Sequence, residues 1–239
     1  MALLSVSELH KKYSNVPVLD KINFEIQRGE FVSVFGPNGC GKTTLLNILS
    51  GLDKNYSGSV HFSEEQTKRG FIFQNSNDSV LPWKSVLNNL KLDNQTIDYN
   101  KIKDVLEDLK LWEHKNKFPY QLSGGMKQLL AIARSFIFGC NILFLDEPFS
   151  SLDYSMAQTA RERLLNLWQK DKPTIFFVSH DVEETILLSD RIILLSKRPA
   201  RIKKIIDIKL PRPRDRTVET SNEFLEYKKL ILAEIENEI

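Results

Sequence analysis

The residues from Gly36 to Thr43, GPNGCGKT, form a glycine-rich segment with the pattern of a phosphate-binding loop. The segment lies between a predicted strand and a predicted helix, which is the context that this pattern requires. Gly39 and Gly41 let backbone N–H groups converge on phosphate oxygens at the start of the helix. Lys42 can neutralise the β- and γ-phosphates, and the Thr43 hydroxyl can ligate Mg²⁺. The segment therefore predicts binding of ATP together with Mg²⁺.

Two adjacent acids, Asp146 and Glu147, end the apolar run ILFLDE. A carboxylate at the end of such a strand can reach the Mg²⁺ of a phosphate-binding loop, so Asp146 is the expected metal ligand. Glu147 lies one residue further along the chain and is expected to orient and polarise the attacking water as a general base. These residue types predict hydrolysis of the bound nucleotide.

The segment from Gln121 to Gln128, QLSGGMKQ, resembles the signature sequence of ABC ATPases because its LSGG precedes a predicted helix. Ser123 is a suitable helix N-cap, and Gly124 and Gly125 leave the backbone exposed, so the helix start offers a second anion site. A simple capped helix would also favour serine here, and for this motif alone that alternative stays open. In the family, the segment closes over the ATP of a second subunit.

Further residues resemble family motifs, in the order in which the family has them. Tyr13 resembles the aromatic residue on which adenine stacks, and Gln74 resembles the glutamine that senses Mg²⁺ and the attacking water. Asp153 resembles part of the loop that crosses the dimer interface, and His180 resembles the switch histidine that contacts the γ-phosphate. The resemblance implies catalytic roles for Glu147, His180 and Gln74, and metal ligation by Thr43, Gln74 and Asp146. It implies nucleotide contacts from Tyr13, Gly36, Pro37, Asn38, Gly39, Cys40, Gly41, Lys42, Thr43, Thr44, Ser123, Gly124, Gly125 and Asp153.

The chain has two cysteines, Cys40 and Cys140, which suit a reducing compartment and do not have metal-ligand spacing. Cys40 lies beside a helix N-terminus and Lys42, which favour a thiolate that reacts with maleimides and is shielded by MgATP. A buried, inert thiol is the alternative.

The order of apolar patterns predicts an α/β fold, and the resemblance to ABC ATPases implies the P-loop NTPase class with a RecA-like core. Strands alternate with helices after Asn141, which implies a mainly parallel sheet, and we expect an antiparallel β subdomain beside it. One ABC ATPase domain should cover 1–239, with the core and β subdomain at 1–74 and 139–210. A helical signature subdomain is expected at 75–138, and a tail and helix at 211–239. Thr220 and Glu223 have capping-box spacing at the start of that last helix.

Composition excludes several classes of protein. The chain has 239 residues, of which 41% are hydrophobic and 27% charged, so it is predicted to be globular. A net charge of +2 argues against nucleic acid as a partner. The N-terminus lacks the features of a signal peptide, and the apolar run from Leu129 to Leu145 is too interrupted to span a bilayer. We therefore expect a cytosolic protein that reaches the membrane through a partner.

Two stretches resemble importers of the nitrate, sulfonate and taurine type, namely VLPW followed by SVLNNL, and KRPARIKKII leading into LPRPRDR. The resemblance implies that this chain lies at the cytoplasmic face of the cell membrane as a peripheral protein. It implies three partners: a second copy packed head to tail, an integral membrane permease and, indirectly, an extracytoplasmic solute-binding protein. The ATPase of an ABC exporter or extractor is one alternative. A non-transport ABC ATPase is another.

Two surface predictions follow from these stretches. The segment from Asn77 to Leu90 is expected to form a groove for a cytoplasmic helix of the permease, with an exposed Trp83 as the contact. Packing of Trp83 inside the helical subdomain is the alternative. The basic stretch from Lys197 to Arg216 is expected to be a solvated face.

Overall fold

The computed structural model describes residues 2–91, 98–214 and 217–236. The chain folds as two compact units, Met1–Thr67 with Thr174–Ile239, and Lys68–Pro173. The elements are β1 (Ala2–Tyr13), β2 (Val16–Gln27), β3 (Phe31–Phe35), α1 (Lys42–Ser50), β4 (Ser57–Phe62), β5 (Arg69–Ile72), α2 (Val86–Lys91), α3 (Tyr99–Asp108), α4 (Gly124–Ile137), β6 (Ile142–Asp146), α5 (Tyr154–Asp171), β7 (Thr174–Val178), α6 (Val182–Leu188), β8 (Arg191–Leu195), β9 (Ile202–Asp207) and α7 (Asn222–Glu236).

Four strands of the first unit lie in the order β7-β3-β8-β9. β3 pairs in parallel with both β7 and β8, and β9 runs antiparallel to β8. Every residue of β3 and β7 is buried, which explains why both segments are continuous apolar runs without alternation. The predicted α/β fold with mainly parallel strands is confirmed.

The first unit also contains the predicted antiparallel sheet, in the order β2-β1-β4. The sequence analysis did not predict β1, because its apolar residues do not alternate. Leu3 and Leu4 are both buried, and a register shift between Val6 and Leu9 resets which side chains face the core. Glu8, inside that shift, has a positive φ of 47°. β1 matters for the site because Tyr13 is its last residue.

In the second unit, α2, α3 and α4 come between β5 and β6 in chain order, and α5 follows β6. β5 and β6 pair in parallel, and α4 packs against α2, α3 and α5. The Arg134 side chain of α4 donates a 2.6 Å hydrogen bond to the Ser79 carbonyl. This hydrogen bond fixes the loop after β5 to the C-terminal part of α4.

The basic tail differs from the predicted solvated face. Lys197 and Arg198 are exposed, but Arg214 is only 5% exposed and donates to backbone carbonyls at the end of α6. Burial lowers the pKa of the Arg214 guanidinium to about 10, so the group stays charged at neutral pH. Arg212 pairs with Asp190 at 2.7 Å. Residues 215 and 216 of this stretch lie outside the described residues.

The predicted capping box at the last helix is wrong. The Ser221 hydroxyl accepts a 3.2 Å hydrogen bond from the Phe224 amide, whereas the Thr220 hydroxyl donates to the Thr217 carbonyl. The reason is the helix boundary: α7 begins at Asn222, so the cap falls on the residue directly before it. Within 2–91, 98–214 and 217–236, no helix is both long and apolar enough to cross a membrane.

Candidate functional site

The predicted phosphate-binding loop connects β3 to α1 in the first unit. Each glycine has its own geometric reason. A Cβ on Gly36 would lie 2.8 Å from the Leu195 carbonyl oxygen, so the backbone passes too close for a side chain. Gly39 and Gly41 have positive φ values of 74° and 125°, which glycine adopts without strain. Nothing lies within 4 Å of a Cβ on Gly39, so the tip of the loop is open.

The start of α1 has the features of an anion site. Its N-cap residue is Gly41, and no side chain caps the helix, so the first N–H groups are offered to a ligand. Lys42 is buried, and its Nζ donates to the carbonyl oxygens of Gly36 at 2.9 Å and Pro37 at 3.0 Å. Thr43 is exposed in the first turn of the helix. The loop therefore holds an ammonium group and uncapped amides together.

Within the loop, side chains differ in what they can offer. Asn38 is exposed and Thr44 is half-buried, whereas Cys40 is only 2% exposed. This burial favours the inert-thiol alternative for Cys40, whose contribution to a phosphate site is then its backbone. Cys140, in the second unit, is half-buried, and burial raises the pKa of its thiol.

Tyr13 and His180 belong to the same unit as the loop. Tyr13 ends β1 with its side chain exposed, and its hydroxyl donates to Asp53. His180 is exposed directly after β7. The residue before it, Ser179, is buried and donates to the Glu184 carboxylate, and Asp181 caps α6 by accepting from the Glu183 and Glu184 amides. Both ends of the His180 segment are thus fixed.

The second unit brings Gln74 and Glu147 together. Asp146 is the buried last residue of β6, and Glu147 follows it with a positive φ of 43°. That conformation is strained for a residue with a side chain, and such strain concentrates at functional sites. Gln74 Nε2 donates to Glu147 Oε2 and to Ser150 Oγ, each at 3.3 Å. The glutamine and the predicted base are therefore in direct contact.

The signature segment also lies in the second unit. Ser123 is the N-cap of α4, as predicted, and its hydroxyl accepts from the Met126 amide at 3.3 Å. A Cβ on Gly125 would lie 2.8 Å from the Met156 side chain, and one on Gly124 would lie 3.7 Å from Leu152. Asp153 caps α5 by accepting from the Met156 amide at 2.9 Å. The signature and the predicted interface loop are thus packed against each other.

Asn89 is a residue that sequence reasoning missed. It is fully buried in α2, and its side chain makes four hydrogen bonds to the loop from Leu81 to Ser85. This loop holds Trp83, which is 70% exposed, while Val80 before it is buried. The predicted apolar patch is therefore reduced to one exposed indole on a fixed loop. An Asn in an otherwise apolar helix face is the only signal that the sequence offered.

Comparisons with known proteins agree with these features. A family model described as ABC transporter matches residues 19–150. The aliphatic sulfonates import ATP-binding protein SsuB of Bacillus cereus is 40% identical, over 98% of this chain and 96% of that protein. The nitrate import ATP-binding protein NrtD of Synechococcus elongatus is 38% identical, over 83% of this chain and 77% of that protein.

Solved structures give the same result for the fold. A dimeric ATP-binding cassette in a post-hydrolysis state, bound to ADP and Pi, has a TM-score of 0.71 and 28% identity. The match covers 87% of this chain and 100% of that chain. This chain therefore belongs to the ABC transporter family, and its fold is that of the family's ATP-binding cassettes.

Proposed function

We propose that this chain is the ATP-hydrolysing subunit of an ABC importer, in which two copies pair and drive a separate membrane permease. One observation carries the proposal: the chain is 40% identical to a sulfonate-import ATPase over 96% of that protein's length. Similarity over the full length includes the segments that would meet a permease, not only the nucleotide site. It favours import over export or a role outside transport.

ATP would be held mainly by the first unit. The uncapped start of α1 and the open tip at Gly39 fit phosphate oxygens, and Lys42 can exchange its two carbonyl partners for the β- and γ-phosphates. The exposed ring of Tyr13 is available for stacking on adenine. His180, exposed between two fixed residues, would contact the γ-phosphate.

The donor atoms of Thr43, Gln74 and Asp146 fit Mg²⁺, which prefers hard oxygen ligands. The two hydrogen bonds of Gln74 to Glu147 and Ser150 use its amide nitrogen, so its amide oxygen can serve the metal. When bound, Mg²⁺ supplies charge neutralisation at the phosphates. The protein's own task would be to present these oxygens to the metal.

Glu147 would accept a proton from the attacking water. The hydrogen bond from Gln74 orients one carboxylate oxygen of Glu147, which follows β6 with a positive φ. Such a general base contributes roughly 10²- to 10⁴-fold to a rate. Because Gln74 contacts the base and would also hold the metal, it would link nucleotide binding to the loop that follows it.

The second copy would complete each site. The start of α4, at Ser123, Gly124 and Gly125, would meet the ATP held by the other copy, and Asp153 would lie at the same interface. Packing of Gly124 and Gly125 against the segment around Asp153 supports a shared role. The likeness to a dimeric cassette bound to ADP and Pi supports pairing of two copies. Closure would then require ATP, and hydrolysis would permit opening.

The permease would dock on the helical subdomain at 75–138, at the cytoplasmic face of the membrane, with a solute-binding protein engaged from the other side. Trp83 is the exposed anchor. Its loop is fixed by Asn89, and the segment before it is fixed to α4 by the bonds from Lys127 to Asn77 and from Arg134 to Ser79. A displacement of α4 would therefore carry the Trp83 loop with it.

The proposal is tested by reconstituting the chain in proteoliposomes with the permease and binding protein encoded beside it. We expect MgATP-driven uptake of an aliphatic sulfonate or of nitrate, which is abolished by Lys42→Ala. Trp83→Ala should lower assembly and uptake while the isolated subunit keeps its fold and basal hydrolysis. Leu232→Ala, which removes an exposed apolar side chain on α7, is the matched control and should assemble normally. Efflux, or hydrolysis that no permease influences, would contradict the importer assignment.

A further inference from the structure

We propose that Lys11 and Asp53 are positioning residues that hold the ring of Tyr13 in place for the adenine base. The inference rests on the proposed ATP-binding function. It adds two residues that lie outside the motifs described above. It also connects Tyr13, where the base would bind, to α1, which begins at the phosphate-binding loop.

Lys11 is the first observation, because it is a buried lysine. It is only 3% exposed on β1, whereas Lys12 beside it is exposed. Burial of an ammonium group is costly unless the group is paired. Lys11 Nζ donates to the Asn55 carbonyl at 2.5 Å and forms an ion pair with Asp53 Oδ2 at 2.7 Å. The same nitrogen lies 4.6 Å from the centroid of the Tyr13 ring, which is a cation–π distance.

Asp53 is the second observation, since it joins three parts of the unit. Its amide donates to the Asn47 carbonyl in α1 at 3.0 Å, and its Oδ1 accepts from the Asn55 amide at 2.9 Å. Its Oδ2 accepts from Lys11 and, at 3.3 Å, from the Tyr13 hydroxyl. The hydrogen bond from Lys11 is the largest cause that holds the pKa of the Asp53 carboxyl below its usual value, so the carboxylate is charged at neutral pH.

These contacts restrain Tyr13 without covering it. Lys11 lies against its ring and Asp53 holds its hydroxyl, yet the side chain remains 48% exposed. An unrestrained exposed tyrosine would lose rotamer freedom when a base stacked on it. Fixing a side chain in advance removes this entropic cost of binding. The arrangement is that of a preorganised stacking surface.

The position of Tyr13 relative to the phosphate-binding loop fits a nucleotide. A Cβ on Gly41 would touch Val18 of β2, at 3.0 Å from its Cγ1. Two residues earlier on that strand, Val16 pairs with Tyr13. Two residues of strand correspond to roughly 7 Å, so the strand pair at Tyr13 lies about that far along β2 from the contact of Val18 with the loop. Adenine and phosphates of one ATP can therefore reach both.

Helix α1 connects the two ends of this site. It begins at Lys42, directly after the loop, and ends at Ser50, three residues before Asp53. Gly51 stops it in the left-handed conformation with φ 88°, which turns the chain so that Asp53 meets Lys11. The phosphate site at the start of α1 and the base site near its end are thus connected through one helix.

The test compares two ligands that differ in having a base. Binding of ATP and of tripolyphosphate, both with Mg²⁺, is measured by titration calorimetry on the isolated chain. We expect Asp53→Ala to weaken ATP about 3- to 10-fold, because an ordering cost returns, and to change tripolyphosphate affinity less than twofold. In a Tyr13→Ala background, the same substitution should have no further effect on ATP.

Asp20→Ala is the matched control, because Asp20 also forms an ion pair in this unit, with Arg201, but lies away from Tyr13. It should leave both affinities unchanged. If Asp53→Ala does not fold, Asp53→Asn, which keeps the size of the side chain, replaces it with the same expected order of effects.

The outcomes distinguish the positioning role of Lys11 and Asp53 from the proposed binding of ATP. Equal losses for ATP and tripolyphosphate, or an unchanged ATP affinity, would overturn the positioning role of Lys11 and Asp53 while leaving ATP binding intact. A wild-type chain that binds neither ligand would instead overturn the proposed function.

Discussion

Arg214 offers the most quantitative prediction from the fold. Its guanidinium is buried, and we consider the substitution Arg214→Met, which keeps an unbranched side chain but removes the donors and the charge. The guanidinium donates to the carbonyl oxygens of Ile186, Leu187, Ser189, Ile208 and Leu210.

The expected magnitude follows from these acceptors. A buried polar group left without a partner costs about 1 to 3 kcal/mol. Several carbonyls would lose their donor at once, although methionine also removes the desolvation cost of the charge. Two or three carbonyls left without a donor give an expected loss of about 3 to 5 kcal/mol in the free energy of unfolding. This is a large part of the ~5 to 15 kcal/mol by which a domain is stable.

Urea denaturation followed by circular dichroism measures the loss. Arg201→Met is the control, because Arg201 pairs with Asp20 at an exposed position, where an ion pair contributes about 0 to 1 kcal/mol. A loss for Arg214→Met no larger than that for Arg201→Met would refute the reasoning that the tail fixes the end of α6.

Three further predictions concern the first unit, which contains the phosphate-binding loop. Lys42→Ala should weaken ATP binding at least ~10-fold in an equilibrium titration, because the ammonium group binds the phosphate oxygens. An unchanged affinity would contradict the role of Lys42 in phosphate binding. Cys40 should react with maleimide slowly in the native chain and quickly in urea, with or without MgATP, because its thiol is buried; fast native labelling blocked by MgATP would restore the reactive alternative. The Lys11–Asp53 pair stabilises the fold above the unfolded carboxyl pKa of about 3.9, and its contribution is lost as the pH falls through the lowered pKa of folded Asp53. The difference in unfolding free energy between wild type and Asp53→Asn should therefore be constant between about pH 5 and 7 and shrink below pH 4; a constant difference at all pH values would contradict the ion pair.

Local signals were sufficient for much of the fold. The helix from Lys42 to Ser50 was predictable, because a glycine-rich loop starts it and Gly51 stops it within the same short stretch. β3 and β7 were predictable from their apolar runs, since parallel strands are buried on both faces. The role of Ser123 as an N-cap was also predictable from local sequence. Its hydroxyl accepts a hydrogen bond from an amide that is only three residues away.

Contacts between distant residues were not predictable from one sequence. Arg214 and its acceptor Ile186 are 28 residues apart, so the stretch PRPR looked like an ordinary charged surface. Lys11 and Asp53 lie on different elements, and neither has a pattern that distinguishes a buried ion pair from two solvated charges. β1 was missed because register shifts disturb the alternation on which strand prediction depends. In each case, the deciding interaction is tertiary.

The central claim is that two copies of this chain enclose ATP and that Glu147 activates the water that ends the closed state. Its most direct test is the mass of Glu147→Gln with MgATP, measured by light scattering coupled to size exclusion. We predict a stable species of twice the 27.6 kDa chain mass, which requires MgATP, together with hydrolysis slowed about 10²- to 10⁴-fold. A variant that stays at 27.6 kDa with saturating MgATP, or that hydrolyses ATP at the wild-type rate, would contradict the claim.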